Sequence, residues 1–490
     1  MNGHGKSDRS IVSKKSPNKV TSVAAEEMEK RDLAKGNLRR QNTFRTQGRA
    51  DVQSALKRIR LAARRDKKGQ FTALYHHVYN IDFLREAFYA LKRKAAPGVD
   101  EVTWGDYHDD LEENLRDLSD RLKQGSYRAK AVRRVYIPKA TGGERPLGVT
   151  ALEDKIVQRA TVAVMSTIYE TDFVGFSYGF RPGRSQHKCS GALCLGIFKR
   201  KVGWVLDADI RGFFDAIDHD WMLRFLEHRI GDQRILRLVQ KWLKAGVLED
   251  GERHRTESGT PQGGSVSPFL ANVYLHYVFD LWIQSWRRSK AKGDVVVVRW
   301  ADDFIVGFQY EWEAKHFLAG LRERFRKFEL DLHPEKTKLI EFGRYAASNR
   351  KRRGQRKPET FDFLGFTHIC GKTLTGKFMV LRKTMKNRLR DKLKELKDEL
   401  RKRINEPVPV IGRWLNQVVR GYFQYHAIPM NLKPLESFRQ QVTRLWCRTL
   451  RRRSHKHKCS WQRMTRLAAK YLPHPRVLHP YPTQQFGVIT

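Results

Sequence analysis

The sequence predicts an α+β fold followed by an all-helical, strongly basic region, and three observations carry that expectation. Short β-rich runs at 132–149, 205–210 and 295–308 are interleaved with helical stretches, without the regular strand-helix-strand rhythm of a doubly wound sheet. From about residue 376 the β-rich runs stop and apolar residues recur at helical spacing. The 490 residues suffice for several cores at roughly 150 residues per domain.

Taken in order, residues 1–50 are polar, basic and poor in apolar groups, too little to offset ordering entropy, and read as a disordered arm. Residues 51–375 form the mixed region. Val52, Leu56, Ile59 and Leu61, then Phe83, Phe88 and Leu91, stand at near-helical spacing up to a break at Pro97-Gly98. A hairpin follows at 132–149, turning at Gly142-Gly143 with Lys139 and Arg145 on its flanks. Helices are expected at 152–169, up to about 201, and over 221–248. The strand at 205–210 carries Asp207 and Asp209, and 295–308 reads as two strands joined by Ala301-Asp302-Asp303. The basic stretch 350–357 is expected as a surface loop. In residues 377–470, 26 Lys and Arg stand against 6 Asp and Glu. Three apolar stripes there, Leu389 to Leu400, Ile411 to Tyr422 and Leu435 to Leu450, predict a small bundle over 376–482, and 483–490 is left as a short tail.

Lys and Arg number 96 against 53 Asp and Glu, a net charge of +43 that calls for a polyanionic partner. No apolar run approaches the roughly 18 residues of a membrane span, so nucleic acid is expected and a membrane is not. The five cysteines are scattered and lack a C-x-x-C pair, which points to a reducing compartment and away from a zinc ribbon; Cys459 with His455 and His457 lacks a second ligand pair. Glu26, Glu27 and Glu29 interrupt the acid-poor pattern of a mitochondrial presequence, so a bacterial cytoplasm is expected.

Two adjacent carboxylates, Asp302 and Asp303, in a tight turn repel each other unless a cation or solvent compensates them. If the strand ending in Asp209 shares their sheet, the three could converge on divalent metal; taken alone, each could equally be a solvated turn residue. The context decides. Leu206-Asp-Ala-Asp-Ile-Arg-Gly-Phe-Phe-Asp215, Gly259-Thr-Pro-Gln-Gly-Gly-Ser265 and Trp300-Ala-Asp-Asp-Phe304 occur in this order. They resemble the palm motifs of reverse transcriptases, specifically group II intron-encoded proteins. Ile137-Pro-Lys-Ala-Thr-Gly-Gly-Glu-Arg-Pro-Leu-Gly-Val149, Tyr178-Gly-Phe-Arg-Pro-Gly-Arg184, Leu332-His-Pro-Glu-Lys-Thr337 and Phe361-Asp-Phe-Leu-Gly-Phe366 are similar to further blocks of that family. Arg420-Gly-Tyr-Phe-Gln-Tyr425 and 471–481 are similar to its maturase, or X, domain. Trp300 departs from the usual Tyr before Ala-Asp-Asp, which implies altered packing near the primer end.

The resemblance implies a right-hand polymerase with fingers and palm over 51–375 and a thumb/maturase domain over 376–482. No room is left after it for the endonuclease domain of some relatives. It implies two Mg²⁺ ions held by Asp209, Asp302, Asp303 and the backbone of Ile210, with Asp207 structural. Lys139, Arg145, Gln262 and Lys336 would contact the incoming nucleotide. Phe214 would screen its sugar, the bland reading being an ordinary core residue. Arg181, Arg420, Arg451, Arg452 and Arg453 would contact nucleic acid. Trp414, Tyr422, Phe423, Tyr425 and Trp446, by their helical spacing, are mostly core. The implied activity is RNA-directed DNA synthesis with splicing of, and retrohoming by, a group II intron RNA. The implied partners are that RNA, a DNA target, a template-primer duplex and deoxynucleoside triphosphates. A splicing-only RNA binder and a domesticated reverse transcriptase in repair or defence are the alternatives.

Overall fold

A computed structural model describes residues 38–138, 143–249, 252–254, 258–260, 263–373, 375–453 and 459–486. The first helix, α1 (Leu38–Arg65), begins inside the stretch expected as a disordered arm, so ordered chain starts by residue 38 and not at 51. Val52, Ala55, Ile59 and Ala63, all beyond that stretch, bury one stripe of it, and the helix runs back from this anchored stripe into the expected arm. α2 (Ile81–Tyr89) is capped by the Asn80 side chain and α3 (Leu111–Gln124) ends on Gly125 at φ 75°.

β1 (Val132–Pro138) and β2 (Glu144–Val149) form the expected hairpin, followed by α4 (Leu152–Tyr169), α5 (Gln186–Lys199) and β3 (Trp204–Ala208). The single helix expected at 221–248 is instead three elements. Asp232 separates α6 (His219–Glu227) from α7 (Gln233–Leu243), because its carboxylate accepts the Arg234 amide at the start of α7 and the amides of Leu74 and Tyr75 as well. Beyond Gly246, at φ 78°, the chain turns into β4 (Val247–Glu249), which pairs parallel with β1 and antiparallel with β5 (Glu252–His254).

α8 (Ser267–Leu275) passes through one π-helical turn, His276–Asp280, into α9 (Leu281–Ser289). β6 (Val295–Trp300), β7 (Asp303–Phe308), α10 (Glu311–Arg326) and β8 (Lys338–Glu341) then complete an antiparallel sheet of order β6-β7-β3-β8. Both faces of this sheet are covered, which explains its four consecutive valines. Val295, Val297, Phe304 and Val306 enter a large core shared with the helices, whereas Val296, Val298, Ile305 and Ile340 enter a second core with α5, Phe361 and Phe363.

α11 (Ala346–Arg352) takes in the first residues of the expected basic loop, whose remainder is exposed. β9 (Phe361–Phe363), β10 (Phe366–Lys372) and β11 (Phe378–Thr384) form a small sheet, so the all-helical region opens at about 385, not 376. There α12 (Lys386–Lys402), α13 (Val408–His426) and α14 (Leu432–Arg451) bear out the three stripes, and α15 (Trp461–Tyr471) closes their core around Leu400, Leu415, Phe438, Val442 and Trp446. Tyr422, Phe423 and Trp446 are buried in it. The stretch expected as a tail returns to the body. Pro482–Gln485 is a helical turn against α5, and Phe486 enters the second core.

Candidate active site

The pairing of β3 with β7 sets Ala208 opposite Phe304 and Asp207 opposite Ile305, so Asp209, one step past β3, comes level with Asp303. Two segments 93 residues apart in sequence thus deliver their carboxylates to one end of one sheet. Asp207, Asp209 and Asp303 line a cleft of about 420 Å³ with Glu335, Lys336, Lys338 and Asp362. Asp302 lies in the turn beside it. Burial, then the charges of Asp207, Asp302 and Asp209, push the Asp303 carboxyl well above its ordinary range. Burial and the Asp209 charge likewise raise Asp302, with Arg145 opposing. Asp207, expected as structural, is in the cleft itself, pushed up to about 7 by burial, Asp362 and Asp209. The period-2 rule that put Asp207 and Asp209 on one face also puts both in the cleft.

The chain itself sets a cation directly on this cluster, Lys336 Nζ at 2.7 Å from Asp209 Oδ2. It arrives there because Ile210 and Leu332 form a β-bridge, in which the amide of His333 donates to the Asp209 carbonyl and that of Arg211 to the Asp331 carbonyl. The Ile210 carbonyl takes no part in those two bonds. Among the described residues no three acidic, His or Cys side chains close on one point as they stand. Their donor set of hard carboxylate oxygens with a backbone carbonyl nevertheless fits a hard divalent cation, and their mutual repulsion favours one.

The turn is held from behind by a network that the sequence reading missed. Arg299, fully buried, pairs with Asp280 through Nε at 2.7 Å and Nη2 at 2.5 Å, and donates to Asn272 Oδ1, Ser177 Oγ and the Ala301 carbonyl. Ala301 stands at φ 56°, a conformation costing on the order of 1–3 kcal/mol in a non-glycine residue. The Arg299 bond to its carbonyl offsets that strain. Asn272 also donates to the Gly179 carbonyl, and a Cβ at Gly179 would stand 2.3 Å from the Ala301 nitrogen. The available signal was an arginine directly after four valines, at the end of a buried strand, where a charge needs a buried partner.

On the opposite side, Gly263, at φ 122°, presses on the Gly148 carbonyl of β2, and Gly259, at φ 84°, on the backbone of Phe214 and Asp215. A glycine is required at both, by φ and by clearance. Phe214 is half-buried, edge-on to Phe213, and its carbonyl accepts from Thr260. Trp300 pairs with Asp303 and packs partly on the second core. Arg388 of α12 stands over Gly365, and its charge reaches Asp303.

The remaining expected residues divide. Arg145 is exposed on β2; Lys139 and Gln262 lie outside the described residues, as do His455 and His457. Arg181, expected to contact nucleic acid, is turned into the fold. It is buried, paired with Glu170 at 3.0 Å, and donates to the carbonyls of Val174 and Ser177, so a motif arginine is spent on the fold. Arg420, Arg451 and Arg452 are exposed on the helical region, Arg451 donating to the Cys459 carbonyl, while half-buried Arg453 donates to that of Glu406.

Comparison with known proteins agrees with this geometry. Residues 137–368 match the family model described as reverse transcriptase (RNA-dependent DNA polymerase). The chain is 35% identical over 277 residues to Protein YkfC of Escherichia coli (strain K12), covering 50% of this chain and 72% of that protein. It is 38% identical over 213 residues to the group II intron-encoded protein LtrA of Lactococcus lactis subsp. cremoris, covering 42% of this chain but only 34% of LtrA. A putative COX1/OXI3 intron 1 protein of Saccharomyces cerevisiae matches at 34% over 223 residues, 44% of this chain and 26% of that protein. With a reverse transcriptase match centred on the carboxylate sheet and relatives named for introns, the chain belongs to the group II intron reverse transcriptase/maturase family.

Proposed function

We propose that the chain is an RNA-directed DNA polymerase that also binds a group II intron RNA, aids its splicing and copies it during retrohoming. The observation that carries this is the convergence of Asp209, Asp302 and Asp303 from two paired strands, with Asp302 and Asp303 held above the ordinary carboxylate range. In this reading the four-stranded sheet is the palm, the β1–β2 hairpin with α1 to α3 the fingers, and α12 to α15 the thumb/maturase region. Asp209, Asp302, Asp303 and the Ile210 carbonyl would hold two Mg²⁺ ions, which when bound would supply activation of the primer 3′-hydroxyl and charge neutralisation of the leaving pyrophosphate. Lys139 and Arg145 bind triphosphate oxygens, Arg145 with a bidentate fork. Gln262 contacts the incoming nucleotide. Phe214, between the Asp209 turn and Gly259, rejects a 2′-hydroxyl by volume. Lys336 moves from Asp209 to the phosphates when nucleotide enters. Arg420, Arg451, Arg452 and Arg453 contact RNA phosphates, which makes affinity salt-dependent.

The test is primer extension on an RNA template with deoxynucleotides and Mg²⁺ at fixed low salt. Wild-type chain should extend and Asp302→Ala should not, with RNA affinity unchanged in a filter assay. Tight RNA binding without any extension by the wild type would favour a splicing-only RNA binder.

A further inference from the structure

One exposed aromatic side chain beside the Asp302–Asp303 turn sits on strained backbone between two fixed neighbours. Phe180 has φ 56°, in the left-handed region that favours glycine, yet its side chain is large and 56% exposed. Large apolar residues in strained backbone persist only where the surroundings over-determine them. Here both neighbours are fixed. Gly179 abuts the Ala301 backbone and its carbonyl accepts from buried Asn272. Arg181 is tied down by Glu170 and by the carbonyls of Val174 and Ser177, with its guanidinium 5.1 Å from the Phe173 ring centre. The strand-like segment before it is stitched to β6, the Tyr178 amide donating to the Arg299 carbonyl and the Arg299 amide to the Phe176 carbonyl. Among the described residues, no ring contact to Phe180 occurs.

Resting on the polymerase reading above, we propose that Phe180 is a stacking platform for the primer strand, seating a base or sugar at its 3′ end. The primer is the strand that must bring its 3′ end to Asp302, and Phe180 is one residue from a backbone in contact with Ala301. An exposed ring on rigid backbone fits a base of any sequence, because every base offers a π-face. The buried arginine next in sequence fixes the backbone that carries the ring.

The experiment places a 4-thiothymidine either at the primer 3′ end or at the facing template position, and measures photocrosslinking and duplex affinity without nucleotide for full-length wild type, Phe180→Ala and Phe180→Trp. The expected result is a primer crosslink that Phe180→Ala loses, together with about a tenfold weaker duplex Kd, both recovered by Phe180→Trp. Because the ring is exposed and Ala keeps the same backbone demand, the variant opens no core. Unchanged affinity and crosslinking in Phe180→Ala, or a crosslink only to the template, would overturn the proposal. Asp302→Ala should abolish extension while leaving crosslink and affinity intact, so failure of the polymerase reading shows in extension alone.

Discussion

Phe214 and Arg181 show how differently two residues of the same motif set behave once folded. Phe214 sits half-buried between the Asp209 turn and Gly259, so its ring can be trimmed without opening a deep cavity. Phe214→Ala is expected to raise ribonucleotide incorporation relative to deoxynucleotide by one to two orders of magnitude; unchanged sugar discrimination in single-nucleotide extension would remove it from the gate. Arg181→Ala leaves Glu170 without its partner and removes a donor from the carbonyls of Val174 and Ser177. A loss of about 3–5 kcal/mol in stability is expected from breaking such a buried pair, with RNA affinity per folded molecule unchanged. Denaturant melts alongside RNA titrations separate the two effects. From sequence both residues carried the same warrant, a motif match. Burial divided them, and burial of a charged side chain depends on contacts that spacing does not encode.

At the scale of elements, the carboxylate-bearing strands were legible because valine runs and period-2 alternation are local signals, and the helix at 152–169 likewise. The break at Asp232 and the strand after Gly246 were not, since a side-chain cap reaching Leu74 and Tyr75 and a parallel partner in β1 are long-range facts. The same holds for β11, whose Met379-Val380-Leu381 is paired only because β10 runs beside it. The support of the Asp302–Asp303 turn was the largest omission, since it joins the 177–179 segment, α8, the π-helical turn and β6. Gly179→Ala tests that support. Its Cβ would collide with the Ala301 nitrogen, so the turn must shift, and the extension rate at saturating substrates should fall at least tenfold while duplex affinity holds. Retention of the rate would mean that the turn tolerates displacement.

For the whole molecule, charge and burial together set the response to acid. His276, His368 and His426 are buried, and burial lowers them from 6.5 to about 4, 3 and 4. Below pH 6.5 the unfolded chain takes up protons that the folded chain refuses, so stability present above 6.5 is lost as pH falls toward 4. Asp154 acts in the opposite sense. Burial raises its carboxyl to about 6, so its share of stability is greatest at low pH and is lost as pH rises from about 4 through 6. Asp207 and Asp303, raised likewise, act with Asp154 against the histidines, so the histidine share shows as a difference: in His368→Gln the melting temperature should drop less, or rise more, between pH 7 and pH 5 than in the wild type at the same ionic strength. An identical pH response in the two proteins would contradict this assignment.

The chain leaves the sheets for the helical bundle at Thr384 and comes back. Leu478 donates to the Ala427 carbonyl, the rings of His479 and His187 stack at 3.8 Å, and Phe486 ends in the core behind the catalytic sheet. A bundle attached at one end could swing in every direction, like a flag on a pole. Fastened at both ends like a bucket handle, and touched between them where the Tyr425 hydroxyl donates to the Leu364 carbonyl, this bundle has far fewer ways to move than a flag.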